Sequence, residues 1–217
     1  MWTYEGVNVH WLGHDSFVLS GSKTVVIDPF KAQGNFKADL LLISHEHFDH
    51  LSEDDIRRFS GPATVIVAPK ICDDGLRKFS NEKKLVAPGS RLELKGVSIE
   101  AIAAYNINKF REPGNVYHPK QDGRVGYVVT LDGVRFYHSG DSDATPEMKA
   151  LDVDVAFLPV SGTYVMTAAE AADAAKAMKV KVAVPMHFAS IVGTAADAEA
   201  FKKLLTGSST VEILPKE

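Results

Sequence analysis

Ser44-His45-Glu46-His47-Phe48-Asp49-His50 is the stretch on which the reading of this chain turns. Four of its last six residues are good metal ligands: three histidines and an aspartate. Burying that many polar rings without partners would cost several kcal/mol. The plain alternative is a solvated, histidine-rich loop, and the flanks argue against it. Asp39 to Ser44 is continuously apolar in its middle, as suits a strand buried on both faces, and it runs straight into His45. Ser52 then reads as a helix N-cap, with Glu53, Asp54 and Asp55 in the first turn where the helix dipole favours them. The loop is therefore pinned against a core. The metalloprotease pattern His-Glu-x-x-His fails, because Asp49 stands where the second histidine belongs and no helical pattern precedes it.

Working outward, the first third is rich in strand signals. Val7 to Leu12, Ser16 to Ser20 and Thr24 to Asp28 are short apolar or alternating runs, with a turn at Gly21-Ser22-Lys23. Thr64 to Ala68 reads as a strand and Pro69 to Phe79 as a helix. In the middle, Arg91 to Leu94 and Val97 to Ala103 form a hairpin around Lys95-Gly96. Val125 to Leu131 and Val134 to His138 form another around Asp132-Gly133, a favoured two-residue turn. Between them, Ala104 to Arg124 reads as a long polar loop, and loops of that length inside a compact domain usually carry function. The last third alternates: strand Asp154 to Pro159, helix Thr167 to Met178, strand Val180 to Pro185, helix Ala195 to Leu205, strand Val211 to Leu214. Thr167 and Glu170 make a capping box. Both halves run strands first and then β–α alternation, with histidines at strand ends, so two packed sheets with helices outside accommodate the pattern.

Composition narrows the function classes. The chain has 217 residues, enough for a sizeable core without staples. Its single cysteine, Cys72, excludes an intrachain disulfide and a cysteine-based zinc finger, and fits a reducing compartment. A formal net charge of −4 argues against a broad electrostatic footprint for nucleic acid, and Lys83-Lys84 and Lys202-Lys203 are too few to restore one. No signal-peptide pattern opens the sequence and no apolar run is long enough for a membrane span. A soluble, cytoplasmic protein of one domain over residues 1–217 is the expectation, with no nucleic-acid or membrane partner; oligomeric state is not readable.

The spacing His-x-His-x-Asp-His resembles that of the metallo-β-lactamase fold superfamily, with a lean toward its ascorbate-6-phosphate lactonase-like branch. The resemblance implies an α/β fold, a four-layered αββα sandwich of two mixed sheets flanked by helices. It also implies two metals side by side, with His45 and His47 on the first and Asp49 and His50 on the second. Further matches follow in the right order and cover essentially the whole chain. Asp141, in Ser139-Gly140-Asp141, fits the bridging aspartate, and His187, after Val184-Pro185-Met186, fits the late histidine. The third histidine of the first metal departs from the family, since the analogous strand ends Ala103-Ala104-Tyr105-Asn106. His118 is read as its replacement; the alternative leaves Asn106 or water at a weaker first site. Asp28 resembles an aspartate that orients a ligand histidine. His14 is either such a supporting group, a substrate contact, or a satisfied strand-end histidine. His138 and His10 read as structural, and Gly162-Thr163-Tyr164 and Lys120 as candidates for the pocket mouth.

The implied chemistry is hydrolysis by a metal-activated hydroxide, with Asp49 as the catalytic residue that orients it or passes its proton on. Two Zn²⁺ suit the imidazole and carboxylate ligands, and Mn²⁺ or Fe²⁺ are also compatible. The expected substrate is a small-molecule ester, lactone or phosphoester. Two other readings stand beside it: a non-catalytic metal- or ligand-binding protein with a partial site, and a metal-dependent phosphodiesterase or nuclease.

Overall fold

The computed structural model describes residues 1–217. The first half runs β1 (Trp2–Tyr4), β2 (Val7–Gly13), β3 (Ser16–Ser20), β4 (Thr24–Ile27), β5 (Leu40–Leu42), α1 (Glu53–Phe59), β6 (Val65–Pro69), α2 (Asp73–Leu76) and β7 (Glu82–Val86). These seven strands form one sheet in chain order, antiparallel from β1 to β4 and parallel from β4 to β7. The second half runs β8 (Arg91–Leu94), β9 (Val97–Ala103), β10 (Phe110–Glu112), β11 (Asn115–Val116), β12 (Val125–Leu131), β13 (Val134–His138), α3 (Pro146–Lys149), β14 (Asp152–Pro159), α4 (Ala168–Ala177), β15 (Lys179–Met186), α5 (Ala195–Leu204) and β16 (Thr210–Val211). Its main sheet has the order β16-β15-β14-β13-β12-β9-β8, again antiparallel first and parallel last. The repeated layout anticipated from the sequence is thus real, and both sheets are mixed.

The alternation of side chains explains the layers. On β4, β5 and β6, Val25, Ile27, Leu40, Leu42, Val65 and Val67 join the large core shared with the second sheet, together with Tyr127, Val129, Phe136 and Phe157. Their neighbours Val26, Leu41, Ile43, Ile66 and Ala68 face the other way, into a smaller core with Ile56 and Phe59 of α1 and Leu76 of α2. A period of two splits each strand between two cores, so these strands read as continuous apolar runs. No helix is long and apolar enough to cross a membrane.

Local chemistry sets the connections. Asp132-Gly133 and Lys95-Gly96 both take positive φ (+51°, +83° and +55°, +82°), as a type I′ hairpin turn requires. Ser52 caps α1, and the Thr167–Glu170 capping box closes on α4. Glu170 also meets Lys109 at 2.8 Å. Burial opposes its charge, but Lys109 and the Thr167 amide outweigh it and hold the carboxyl down at about 2 against an ordinary 4.5. The stability this contributes is present above pH 4.5 and is lost as pH falls toward 2. Glu170→Gln is expected to lower Tm by roughly 2–4 °C at pH 7, the size of one partly solvated cap. The gap should close in melts between pH 4.5 and 2, and a gap that persisted at pH 2 would remove the carboxylate from the account.

Several segments differ from expectation. Pro69 to Phe79 is not one helix but a 3₁₀ turn followed by the single turn of α2. Gly75 lies in its middle, where a Cβ would stand 3.1 Å from Leu51, and glycine weakens a helix. Ala104 to Arg124 is not a plain loop, because it contains the β10–β11 hairpin and a 3₁₀ turn. The strand β7 is Glu82-Lys83-Lys84-Leu85-Val86, whose charges disguise it and suit its place at the sheet edge. The final strand is only Thr210–Val211, short of the Val211 to Leu214 expected.

Candidate metal centre

The strands end at a common edge. The β2–β3 turn brings His14 and Asp15, the end of β4 brings Asp28, and the loop after β5 brings His45 to His50. From the second sheet come His118 before β12, Asp141 after β13 and His187 after β15. Sites in open α/β sheets lie beyond the carboxyl ends of parallel strands, and this one does for β4, β5, β13 and β15. His14, Asp28 and His187 hold positive φ (+51°, +42° and +59°), which is uncommon for such residues and tends to mark functional sites.

Asp141 is the centre. Its Oδ2 lies 3.8 Å from His45 Nε2 and 3.5 Å from His118 Nε2, whereas its Oδ1 lies 3.4 Å from both His50 Nε2 and His187 Nε2. His47 joins the first side, its Nδ1 being 3.0 Å from His45 Nε2 and 3.4 Å from His118 Nε2. His45, His47, His118 and Asp141 therefore offer four donor atoms within 4.8 Å of one another.

The far side of most rings is tied down. His118 Nδ1 donates to Asn106 Oδ1 at 2.9 Å, and the Asn106 amide donates to Tyr164 O, which leaves His118 Nε2 a bare lone pair. Asn106 thus holds the His118 ring in place, and its own oxygen is spent on the His118 ring and backbone N–H. Ser44 Oγ donates to Asp28 and receives His45 Nδ1 at 2.9 Å, and Asp28 receives His50 Nδ1 at 2.8 Å. His187 Nδ1 is 2.9 Å from Ser161 Oγ. Such partners fix ring orientation and tautomer in metal sites.

The protonation pattern divides the site. Burial holds His45 and His47 below the ordinary imidazole value and takes His118 down to about 4, so this side presents neutral rings. Burial also opposes charge on His50 and His187, but Asp141 with Asp28 and Asp15 outweighs it, raising His50 and carrying His187 up to about 9. Asp141 is kept ionised by His187 and His50 against its burial. The donor set fits divalent metal on an observation of its own. His50 Nε2, Asp141 Oδ1, His14 Nδ1 and both oxygens of Asp15 are buried with no hydrogen-bond partner, a cost that a cation removes.

Asp49 does not join either group of donors. Its carboxylate takes a 3.2 Å contact from His14 Nε2 and lies 3.9 Å from His50 Nε2. Burial pushes it up, but the His14 bond and His50 prevail and keep it below the usual carboxylate range. Glu46 turns away to Arg124. His138 is structural, bonded to Asp15 O at 2.9 Å and to Gly140 N. Lys120 is not at the mouth; it pairs with Glu147 at 2.7 Å.

The site opens into a cleft of about 460 Å³ lined by Phe48, Asp49, Arg111, Tyr117, Tyr164 and Ile191 beside the histidines and Asp141. Sequence reading missed Asp15, Arg111 and the support given by Asn106 and Ser161. A larger cleft, about 610 Å³, lies across Phe48 under α1. It holds none of the histidines, and its Asp55 is spent on the Lys31 and Ala32 amides.

A family model described as "Beta-lactamase superfamily domain" matches residues 8–187. A UPF0173 metal-dependent hydrolase of Methanoregula boonei is 30% identical over 218 residues, covering 95% of this chain and 93% of the relative. One of Thermococcus kodakarensis is 34% identical over 223 residues, covering 96% of each. A crystal structure from Parabacteroides distasonis is similar with TM-score 0.82 at 31% identity, over 95% of this chain and 92% of that one. Igni18, a metallo hydrolase of Ignicoccus hospitalis, has TM-score 0.79 at 23% identity, over 97% and 95%, and supports the fold alone.

Proposed function

The chain belongs to the beta-lactamase superfamily, and from that premise we propose that it is a metal-dependent hydrolase that holds two metals side by side and cleaves a small ester, lactone or phosphoester. The observation that carries the proposal is the division of Asp141, one oxygen toward His45 and His118 and the other toward His50 and His187. His45, His47 and His118 would hold the first metal, His50 and His187 the second, and Asp141 both. Zn²⁺ suits these donors, as do Mn²⁺ and Fe²⁺. Bound there, the metals would polarise a carbonyl or phosphoryl oxygen and lower the pKa of water toward neutrality.

The remaining work falls to side chains. Asp49 faces the cleft as a carboxylate, placed to accept a proton from the attacking water. His14 holds it by one edge, so Asp49 is the catalytic group and His14 positions it. Metal content and hydrolysis test the proposal together. Two metals per chain with turnover of lactones or phosphodiesters is the expected result, whereas one or none without turnover favours a binding protein.

The cleft also bears on substrate class. Arg111 stands over the Tyr117 ring at 5.5 Å, and none of the ion pairs in the structure involves it. Around it, Phe48, Tyr164 and Ile191 are at least 41% exposed. A cation among apolar lips suits a compact substrate with an apolar body and one anionic group. Nucleic acid would require a row of cations. Arg111→Ala is expected to raise KM for an anionic ester about 10-fold or more, with kcat little changed. A neutral ester of the same shape should respond weakly; equal responses would take Arg111 out of recognition.

A further inference from the structure

Asp15 is a buried acidic group to which the proposed function gives no part, and burial pushes its carboxyl well above the usual range. It is wholly buried, and neither carboxylate oxygen has a hydrogen-bond partner. Its backbone is fixed: the carbonyl accepts from His138 Nε2 at 2.9 Å, and the next residue, Ser16, bonds Asp28 O at 2.7 Å. A lone carboxylate in such a place costs several kcal/mol unless something compensates it. One of its oxygens lies within 4.8 Å of the donor atoms of His50, Asp141 and His187, which are equally close to one another.

We propose that Asp15 is a direct oxygen ligand of the second metal, completing a set of two imidazoles and two carboxylates with His50, His187 and Asp141. This rests on the two-metal reading above and adds to it a ligand from the β2–β3 turn. His14 is the competing candidate, since one of its ring nitrogens is within the same reach of His50 and His187. Its Nδ1 is unpartnered as well, but His14 shares that range only with His50 and His187 and its Nε2 is engaged by Asp49, whereas Asp15 shares the range with Asp141 too and both its oxygens are free. Two carboxylates beside two imidazoles accept Zn²⁺, Mn²⁺ or Fe²⁺ without thiolate.

The test titrates metal-free wild type, Asp15→Asn and Asp15→Ser with Zn²⁺ and with Mn²⁺ in a calorimeter, and counts metal after dialysis. Wild type should take two ions. The variants should keep the first and bind the second at least about 100-fold more weakly. Two ions in the variants with unchanged affinity would overturn the assignment and leave the two-metal reading standing. One ion in wild type and none in the variants would overturn the two-metal reading and keep Asp15 as a ligand. One ion in all three proteins would overturn both. Independently of any variant, anomalous diffraction from Zn²⁺-loaded wild type should put an Asp15 oxygen about 2.0–2.2 Å from the second ion. A separation beyond about 3 Å overturns the proposal.

Discussion

Asp141→Ala should abolish turnover and weaken both metal positions at once, lowering kcat/KM by at least about 10³-fold. The carboxylate is 5% exposed and stands between four imidazole Nε2 atoms at 3.4 to 3.8 Å. Neither Asp49, held by His14, nor Asp28, spent on Ser44 and His50, can take its place. His47→Ala is the contrasting variant, because His47 belongs to one side only and is half-exposed at the cleft. It should lose the first metal and retain the second. Elemental analysis beside a turnover assay separates the cases. If Asp141→Ala kept two metals and a tenth of the activity, Asp141 would not be shared between them.

Asp28→Ala is expected to produce the largest loss of stability, about 3–5 kcal/mol, measured on metal-free protein so that binding does not enter. Asp28 is wholly buried and accepts the Ser44 N–H at 2.7 Å, the Ser44 hydroxyl, and His50 Nδ1 at 2.8 Å. Removing it strands a backbone donor and the raised His50 together. Its φ of +42° adds strain that alanine tolerates less well than aspartate. The shift corresponds to a fall in Tm of roughly 10 °C or more for a chain of this size. Asp28→Asn keeps one acceptor for the Ser44 amide but sets its own N–H groups against Ser44 or His50, so it should lie between wild type and alanine. A loss under about 1 kcal/mol would show that the network relaxes around the gap.

Much of the fold was legible because its signals are local. The apolar run into His45, the Asp132-Gly133 turn and the Thr167–Glu170 box each carry their reason within a few residues. Two packed sheets with helices outside accommodated them, whereas the mixed sheets and the family came from the resemblance carried by the His-x-His-x-Asp-His spacing. What escaped depends on contacts across the chain. Glu82 to Val86 is a strand only because β6 lies beside it. Asn106 looked like a departure from a ligand pattern, and its meaning appears only when the chain returns to place His118 against its oxygen. Asp15 follows His14 in a polar turn, and no local rule separates a solvated aspartate from one enclosed beneath two sheets. Arg111 lies in a hairpin that reads as loop until the cleft behind it is in view.

The candidate donors are drawn from both sheets, with His45 and His187 separated by most of the chain. Closing loops of that length is expected to come late in folding, after each sheet has formed its local pairings. A metal there is expected to speed folding little, because its donors come together only once both sheets are in place. Its effect falls on unfolding, which must pull strand ends of the two sheets apart while the ion holds them. Metal loading would then set how long the folded molecule lasts, more than how fast it forms.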